Sequence, residues 1–164
     1  MEMFLAAKHL IFAEGSAFHL CNLAGRNFET IDIIVRRKDS EIGSNFLVPR
    51  AKSVQFRNLV AGEVYPILSN NRFQRNKGIT ILNETALLDF LGSVKLDISQ
   101  YWNSGVYNEK VLKDSKTWLR NLIDRASPAT FENLDAIKDS MCAAMAELPQ
   151  TMQRRFLRWA DRLS

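Results

Sequence analysis

Cysteine is scarce in this chain of 164 residues, which has only two, Cys21 and Cys142. Both lie in largely apolar stretches, where a free thiol behaves as a small hydrophobic side chain. A framework of several disulfides is therefore excluded, and unpaired thiols of this kind are typical of proteins from a reducing compartment. We expect two buried, free cysteines.

Long hydrophobic runs are also lacking. No uninterrupted apolar segment approaches the roughly 18 residues that a transmembrane helix needs. The first five residues have neither the basic region nor the small-residue cleavage site of a signal peptide. The sequence therefore predicts a cytoplasmic protein that has no membrane partner.

Residues that carry catalytic or metal chemistry are few. The seven glycines are scattered singly, so no phosphate-cradling or dinucleotide-binding loop is present. The two histidines, His9 and His19, have no Cys, Asp or Glu at zinc-ligand spacing, and we expect them to be packed or on the surface. Glu29 and Asp32 lie in a strand rich in Ile and Val, without the spacing of a nuclease metal site. No serine nucleophile elbow occurs. The sequence thus predicts no enzyme, no metal and no cofactor.

What the chain does have is an ordinary globular composition, with 46% hydrophobic and 24% charged residues. We expect an α+β protein that consists of an N-terminal small antiparallel β-sheet or SH3-like barrel and a C-terminal antiparallel three-helix unit. The predicted division is a β-rich domain at residues 1–95, a linker at residues 96–108 and a helical subdomain at residues 109–164.

Strand signals dominate the first part of the chain. Alternating or β-branched residues predict strands at 28–35, 46–48, 53–56, 64–68 and 79–82. Residues 3–24 fit a helix or mixed structure for the first dozen positions, or a hairpin that turns at Gly15-Ser16. Residues 86–94 fit either a short helix or a final strand. Around residues 61–83, the order of Ala-Gly-Glu-Val-Tyr, a polar loop and Ile-Thr-Ile-Leu-Asn resembles that of small SH3-like barrels, a fold that serves many functions.

Helical periodicity dominates the last third. Apolar side chains at helical spacing predict one helix over 109–125, a second that starts at Ser127-Pro128, and a third through Met152 and Leu163 that follows a break at Leu148-Pro149. Amphipathic helices with such short connections pack against one another or against a sheet. This unit would supply stability or the contacts of a homodimer.

Positive charge is concentrated between residues 36 and 77, where nine Lys or Arg face three acids. Several cations that converge on one surface neutralise phosphates and release counterions. Phe73 lies inside the last cluster, where an aromatic ring could stack on a base. The alternative is that these charges only solubilise strand ends and protect a sheet edge. The predicted nucleic-acid-binding residues are Arg36, Arg37, Lys38, Arg50, Lys52, Arg57, Arg72, Phe73, Arg75 and Lys77.

A second set of candidates lies in the linker and the last helix. Tyr and Trp are enriched at protein interfaces, and Trp beside Arg is typical of binding hot spots. The arginines of the last helix could instead follow phosphates, or simply complement the dipole at its C-terminus. The predicted partner-binding residues are Tyr101, Trp102, Arg154, Arg155, Arg158, Trp159 and Arg162.

Two functions therefore follow from the sequence. The first is that of a non-enzymatic accessory or regulatory protein that binds DNA or RNA through the basic β-rich segment. The second is that of a protein-binding adaptor, inhibitor or assembly factor that docks a larger partner through its helices and linker aromatics.

Overall fold

Helices and small sheets share the chain, which is an α+β protein. The computed structural model describes residues 6–24, 27–67, 72–124 and 134–163. Contacts divide the chain into two units, Met1–Val60 and Ala61–Ser164. The linker expected at residues 96–108 thus lies inside the second unit. Each unit is described by itself.

The first unit contains a three-stranded sheet in the order β1 (His9–Ala13), β2 (Phe28–Ile34) and β3 (Ala51–Arg57). Both strand pairs are parallel. Parallel neighbours need a crossover, and here a 3₁₀ helix, Ser16–Leu23, joins β1 to β2. The predicted antiparallel pairing is therefore wrong for this sheet, and so is the hairpin that would turn at Gly15-Ser16.

A short helix, α1 (Ser44–Leu47), and a 3₁₀ turn, Val48–Arg50, make the second crossover. The strand predicted at 46–48 is wrong, because Gly43 takes a left-handed conformation with φ 92° and starts a helix there. Leu47 of that helix is fully buried. The apolar character of this segment favoured a strand, but in the fold it buries Leu47 in the core of the first unit.

One face of this sheet forms the core of the first unit. Ile31 and Ile33 of β2 are fully buried. The same alternate positions of β1 and β3 hold further apolar side chains, and the crossovers add Phe18, Cys21 and Leu47 to the cluster. Cys21 and Cys142 are both free; Cys21 is buried and Cys142 is half-buried.

The second unit contains a two-stranded sheet of β4 (Val60–Val64), whose first residue is the last of the first unit, and β5 (Ile79–Leu82). In the part of the chain that the structure describes, the two small sheets stay separate and no closed barrel forms, so the SH3-like alternative gains no support. A helix, α2 (Glu84–Ser93), follows β5 and decides the open question over residues 86–94. Asn83 caps it by accepting the Ala86 N–H at 2.7 Å.

Three longer helices complete the unit: α3 (Ser104–Asp124), α4 (Leu134–Ala144) and α5 (Gln150–Ala160). The predicted first helix is present but starts at residue 104 instead of 109. The predicted second start, Ser127-Pro128, lies outside the described residues. Pro149 is the N-cap of α5, where its missing N–H costs nothing. Buried side chains of all three helices join Val64 and Ile81 in one core.

Contacts fix the helix directions. Lys138 of α4 pairs with Asp161 just beyond α5, and Gln153 of α5 donates to the Met145 carbonyl. Late positions of α5 thus meet early positions of α4, which makes the two helices antiparallel. Between α3 and α5, the residue numbers of contacting pairs increase in both helices. Glu109 contacts Arg155, and farther along α3 Arg120 contacts Trp159. These two helices run in the same direction.

Candidate nucleic-acid interface

The first unit places its predicted binding residues at opposite ends of the sheet. Arg50 and Lys52 lie at the start of β3, and Arg57 is its last residue. Six residue steps of a strand span about 20 Å. The cluster of residues 36–38 directly follows β2, at the same carboxyl edge as Arg57. This unit therefore gathers only part of the predicted surface.

Two of these arginines are held by buried carboxylates. Arg37 donates Nη2 to Oε1 of Glu14 at 2.5 Å, and Arg57 donates Nε to Oδ1 of Asp32 at the same distance. Burial raises the pKa of Glu14, but the Arg36 backbone N–H and the Arg37 guanidinium outweigh it, so that pKa lies below its usual value. Both arginines are therefore committed to structural ion pairs.

In the second unit, one exposed stretch holds the remaining predicted residues. Phe73 is 60% exposed and meets the ring edge of Tyr65. Arg75 and Lys77 lie in a single 3₁₀ turn, Arg75–Lys77. Trp118 of α3 donates its indole N–H to the Lys77 carbonyl at 2.8 Å. We call residues 72–77 the basic loop; Arg72, Phe73, Arg75 and Lys77 do come together there.

A second cationic surface lies in the same unit, between α3 and α5. It is a groove of about 310 Å³. We call it the helical groove, and its lining has four cations and one carboxylate. The residues of this lining are Glu109, Leu112, Lys113, Lys116, Thr117, Arg120, Arg155 and Trp159.

The indole of Trp159 organises the cations of this groove. Lys116 Nζ and the Arg120 guanidinium carbon each lie 5.7 Å from the centre of its ring. Cations at this distance are attracted to the ring face. The groove therefore joins an aromatic surface with positive charge that the ring holds in place.

Glu109 and Arg155 form a two-pronged ion pair across the helical groove. Arg155 Nη2 donates to Oε2 of Glu109 at 3.0 Å, and Nη1 donates to Oε1. The hydrogen bond from Arg155 lowers the pKa of Glu109, and the same bond raises the pKa of Arg155. Both side chains remain about half exposed, so solvent anions can reach them.

The predicted residues of the last helix divide between its faces. Arg155 and Trp159 line the helical groove, whereas Arg162, in the 3₁₀ turn Asp161–Leu163 that follows α5, does not. Arg154 is exposed and donates to Gln150 in the preceding turn. Arg158 is exposed too and is not among the groove residues. The last helix thus supplies one wall of the groove rather than a continuous cationic face.

The basic loop and the helical groove lie on different sides of α3. Trp118, which holds the loop, is two residues from both Lys116 and Arg120, which line the groove. Two residues correspond to about 160° around an α-helix. A ligand that lies along the helical groove would therefore face away from the basic loop at that level of α3.

The linker aromatics form a third surface, a shallow apolar patch of about 380 Å³. Tyr101 is 81% exposed and Val106 is 66% exposed. Trp102 is half-buried, and its indole N–H donates to Glu84 Oε1 at 2.5 Å. We call this surface the aromatic patch; its lining is Tyr101, Trp102, Asn103, Val106, Tyr107 and Lys110.

Sequence reasoning missed the three cations of α3. Lys113, Lys116 and Arg120 flank the apolar stripe of α3, where charged side chains are common on any amphipathic helix. Their spacing of three and four residues was the available signal. This spacing indicates a site only once α5 packs beside α3 and adds Trp159 and Arg155. Those two residues are about forty positions away in the chain, so the sequence alone does not connect them.

The comparisons with known proteins give no relative: no family model, curated protein or solved structure matches the chain. Over the described residues, no helix has the length and apolar character to cross a membrane. The same residues contain no group of three or more His, Cys, Asp or Glu that could hold a metal ion. Function must therefore be argued from the surfaces themselves.

Proposed function

We propose that the protein is a nucleic-acid-binding accessory or regulatory protein that grips backbone phosphates in the helical groove. One observation carries this proposal: four cations surround a groove whose wall is the Trp159 indole, and a single carboxylate opposes them. Phosphate contacts supply most of the affinity in sequence-independent binding, and aromatic rings add base stacking.

The shape of the groove favours a single strand. Its cations on α3 extend from Lys113 to Arg120, about 10 Å along the helix. A stretch of that length suits two or three phosphates of a flexible strand. An aromatic ring beside a row of cations is the combination that single-strand binders use.

Fluorescence anisotropy against single- and double-stranded oligonucleotides across a salt series tests this proposal. Phosphate contacts from the three groove cations of α3, Lys113, Lys116 and Arg120, predict a slope of about −2 for log K against log salt on a single strand. We expect single strands to bind more tightly than duplexes of the same sequence. Binding that is immeasurable at low salt for both DNA and RNA would contradict the proposal.

Two double variants locate the site. Lys113→Glu with Lys116→Glu reverses two charges in the helical groove and should flatten the slope by about one to two units. Arg75→Glu with Lys77→Glu makes the same change in net charge on the basic loop, which makes it the matched control. If the loop variant flattens the slope and the groove variant does not, the basic loop is the interface and the groove is not.

The alternative function, protein binding, is supported by the aromatic patch. An exposed Tyr and Val beside a half-buried Trp form a surface of the composition that interfaces favour. We propose a second copy of the chain as its occupant. Sedimentation at increasing concentration should show self-association that Val106→Asp abolishes; a strictly monomeric wild-type chain would contradict it.

A further inference from the structure

The backbone of the basic loop fixes its shape before any ligand binds. Phe73, near its start, pairs with Ile67 in an antiparallel bridge, and the Lys77 N–H at its end donates to the Gln74 carbonyl at 3.0 Å. Trp118 of α3 in turn donates its indole N–H to the Lys77 carbonyl. A loop that is already ordered loses little conformational freedom when its side chains bind a ligand.

This loop presents an aromatic ring and several cations to solvent. Phe73 is 60% exposed, and Arg75 and Lys77 are exposed as well. Among the described residues, the side chains of Arg75 and Lys77 have no ion-pair partner. Residues 64–83 contain no Asp or Glu. A stacking surface beside positive charge is the combination with which proteins bind single strands without sequence preference.

Two carboxylates adjoin the contacts of the basic loop, and both are engaged. Glu63 accepts the hydroxyl of Tyr65 at 2.8 Å. Asp114 lies one turn before Trp118 on α3 and pairs with Lys110 at 3.2 Å. The three cations of the loop, together with Lys110, outnumber these two carboxylates. Positive charge therefore prevails on this side of α3.

The basic loop and the helical groove are separated by the thickness of α3. Trp118, which holds the loop, lies about 160° around the helix from Lys116 and Arg120 of the groove. A helix with its side chains is about 10–12 Å across. A strand in the helical groove therefore leaves the loop uncovered. The second unit thus has two cationic surfaces, each with its own aromatic ring: Trp159 in the groove and Phe73 in the loop.

We propose that one chain binds two single strands at once, one in the helical groove and one on the basic loop, and thereby bridges them. This inference rests on the proposed function, because the groove must hold one of the strands. The other strand contacts Arg75 and Lys77 through its phosphates, and Phe73 stacks on one of its bases. Only outward side chains of the loop take part, so the hydrogen bond from Trp118 to the loop backbone stays intact.

Charge on both sides of α3 is what makes such a complex stable. Two phosphate backbones that lie roughly 10 Å apart, at the thickness of the helix, repel each other. The cations of the groove and those of the loop each neutralise the strand that they contact. A chain with only one of the two surfaces would bind a single strand and could not hold a second one beside it.

Förster transfer between two oligothymidylates tests the bridging in the full-length chain. One strand carries a donor dye and the other an acceptor, and thymine strands do not pair with each other. We expect transfer to appear when protein is added and to fall again at a large excess of protein, where each strand occupies a chain of its own. Native mass spectrometry should show two strands on one chain. One strand per chain at saturation, without transfer, would overturn the proposal.

Two matched variants separate the surfaces. Arg75→Glu with Lys77→Glu should abolish the transfer and leave one strand bound in the groove. Lys113→Glu with Lys116→Glu makes the same change in net charge and should also abolish the transfer, with one strand left on the loop. Phe73→Ala should weaken binding of the loop strand by about tenfold, through lost stacking. Undiminished transfer in the loop variant would overturn the proposal.

A last variant distinguishes bridging by one chain from bridging by a dimer. Val106 belongs to the aromatic patch, and Val106→Asp blocks self-association through that patch. We expect this variant to bridge as the wild type does; loss of its transfer while single strands still bind would assign the bridging to a dimer and overturn the proposal. Strand binding without transfer overturns the bridging alone, whereas the absence of all strand binding contradicts the proposed function as well.

Discussion

Trp118 donates its indole N–H to the carbonyl oxygen of Lys77 at 2.8 Å and so attaches the basic loop to α3. A net contribution of about 1 kcal/mol is usual for one such hydrogen bond. We expect Trp118→Phe, which keeps most of the ring, to lower the free energy of unfolding by about this amount in urea titrations. Unchanged stability, together with unchanged amide exchange in residues 75–78, would show that the loop is held by other contacts.

Tyr107 of α3 donates its hydroxyl to the Leu82 carbonyl at the end of β5, 2.6 Å away. Burial, with the nearby charges of Glu84 and Glu147, raises its pKa from 10 to about 12. The folded state therefore favours the neutral phenol, and this stabilisation is complete below pH 10 and is lost as the pH rises towards 12. Tyr107→Phe should remove that alkaline loss, as measured by urea titrations from pH 9 to 12. Ionisation of Tyr107 near pH 10 in the folded chain, seen at 295 nm, would contradict this account.

The direction of the strands could not be predicted from the sequence. The alternation of Ile31 and Ile33 with polar neighbours correctly indicates a strand, but a strand pairs in either direction. The deciding feature is the pair of short crossovers, and the second was hidden because Phe46 and Leu47 are apolar enough for a strand. Gly43, with its left-handed φ, was the local signal for a helix there.

Helices were predicted better because their signals are local. The spacing of apolar side chains and the break at Pro149 indicate α3 and α5 without any knowledge of their partners. The sites are the opposite case. Lys116 and Trp159, which meet in the helical groove, are far apart in the chain. Taken singly, such residues carry no sequence motif that marks a site. They form a candidate site only when the fold brings them together.

Glu14 connects the loops that follow β1 and β2 in the first unit. It accepts hydrogen bonds from the Arg36 backbone N–H at 2.9 Å and from the Arg37 side chain. Because its pKa is lowered on folding, it stabilises the fold above its usual value of 4.5, and this is lost as the pH falls through the folded pKa. Glu14→Gln should cost about 2 kcal/mol at pH 7 and flatten the acid limb of the stability curve. An equally steep acid limb in the variant would contradict this role.

Glu109 competes with any phosphate for Arg155 in the helical groove. Removing its charge should free one more cation for the ligand. We expect Glu109→Gln to raise oligonucleotide affinity several-fold at low salt and to steepen the salt slope by about one unit. Asp114→Asn is the matched control: it removes the same charge from α3, at a carboxylate that pairs with Lys110 outside the groove. An equal effect from both variants would indicate a change in net charge alone.

The three tryptophans report separately on the three surfaces of the second unit, and one measurement compares them. Trp159 lines the helical groove, Trp118 holds the basic loop and Trp102 borders the aromatic patch. In a ¹H–¹⁵N spectrum, each indole N–H gives its own signal. On titration with a single-stranded oligonucleotide, we expect the Trp159 signal to shift progressively while those of Trp118 and Trp102 stay in place. A shift confined to Trp118 or Trp102 would contradict binding in the helical groove.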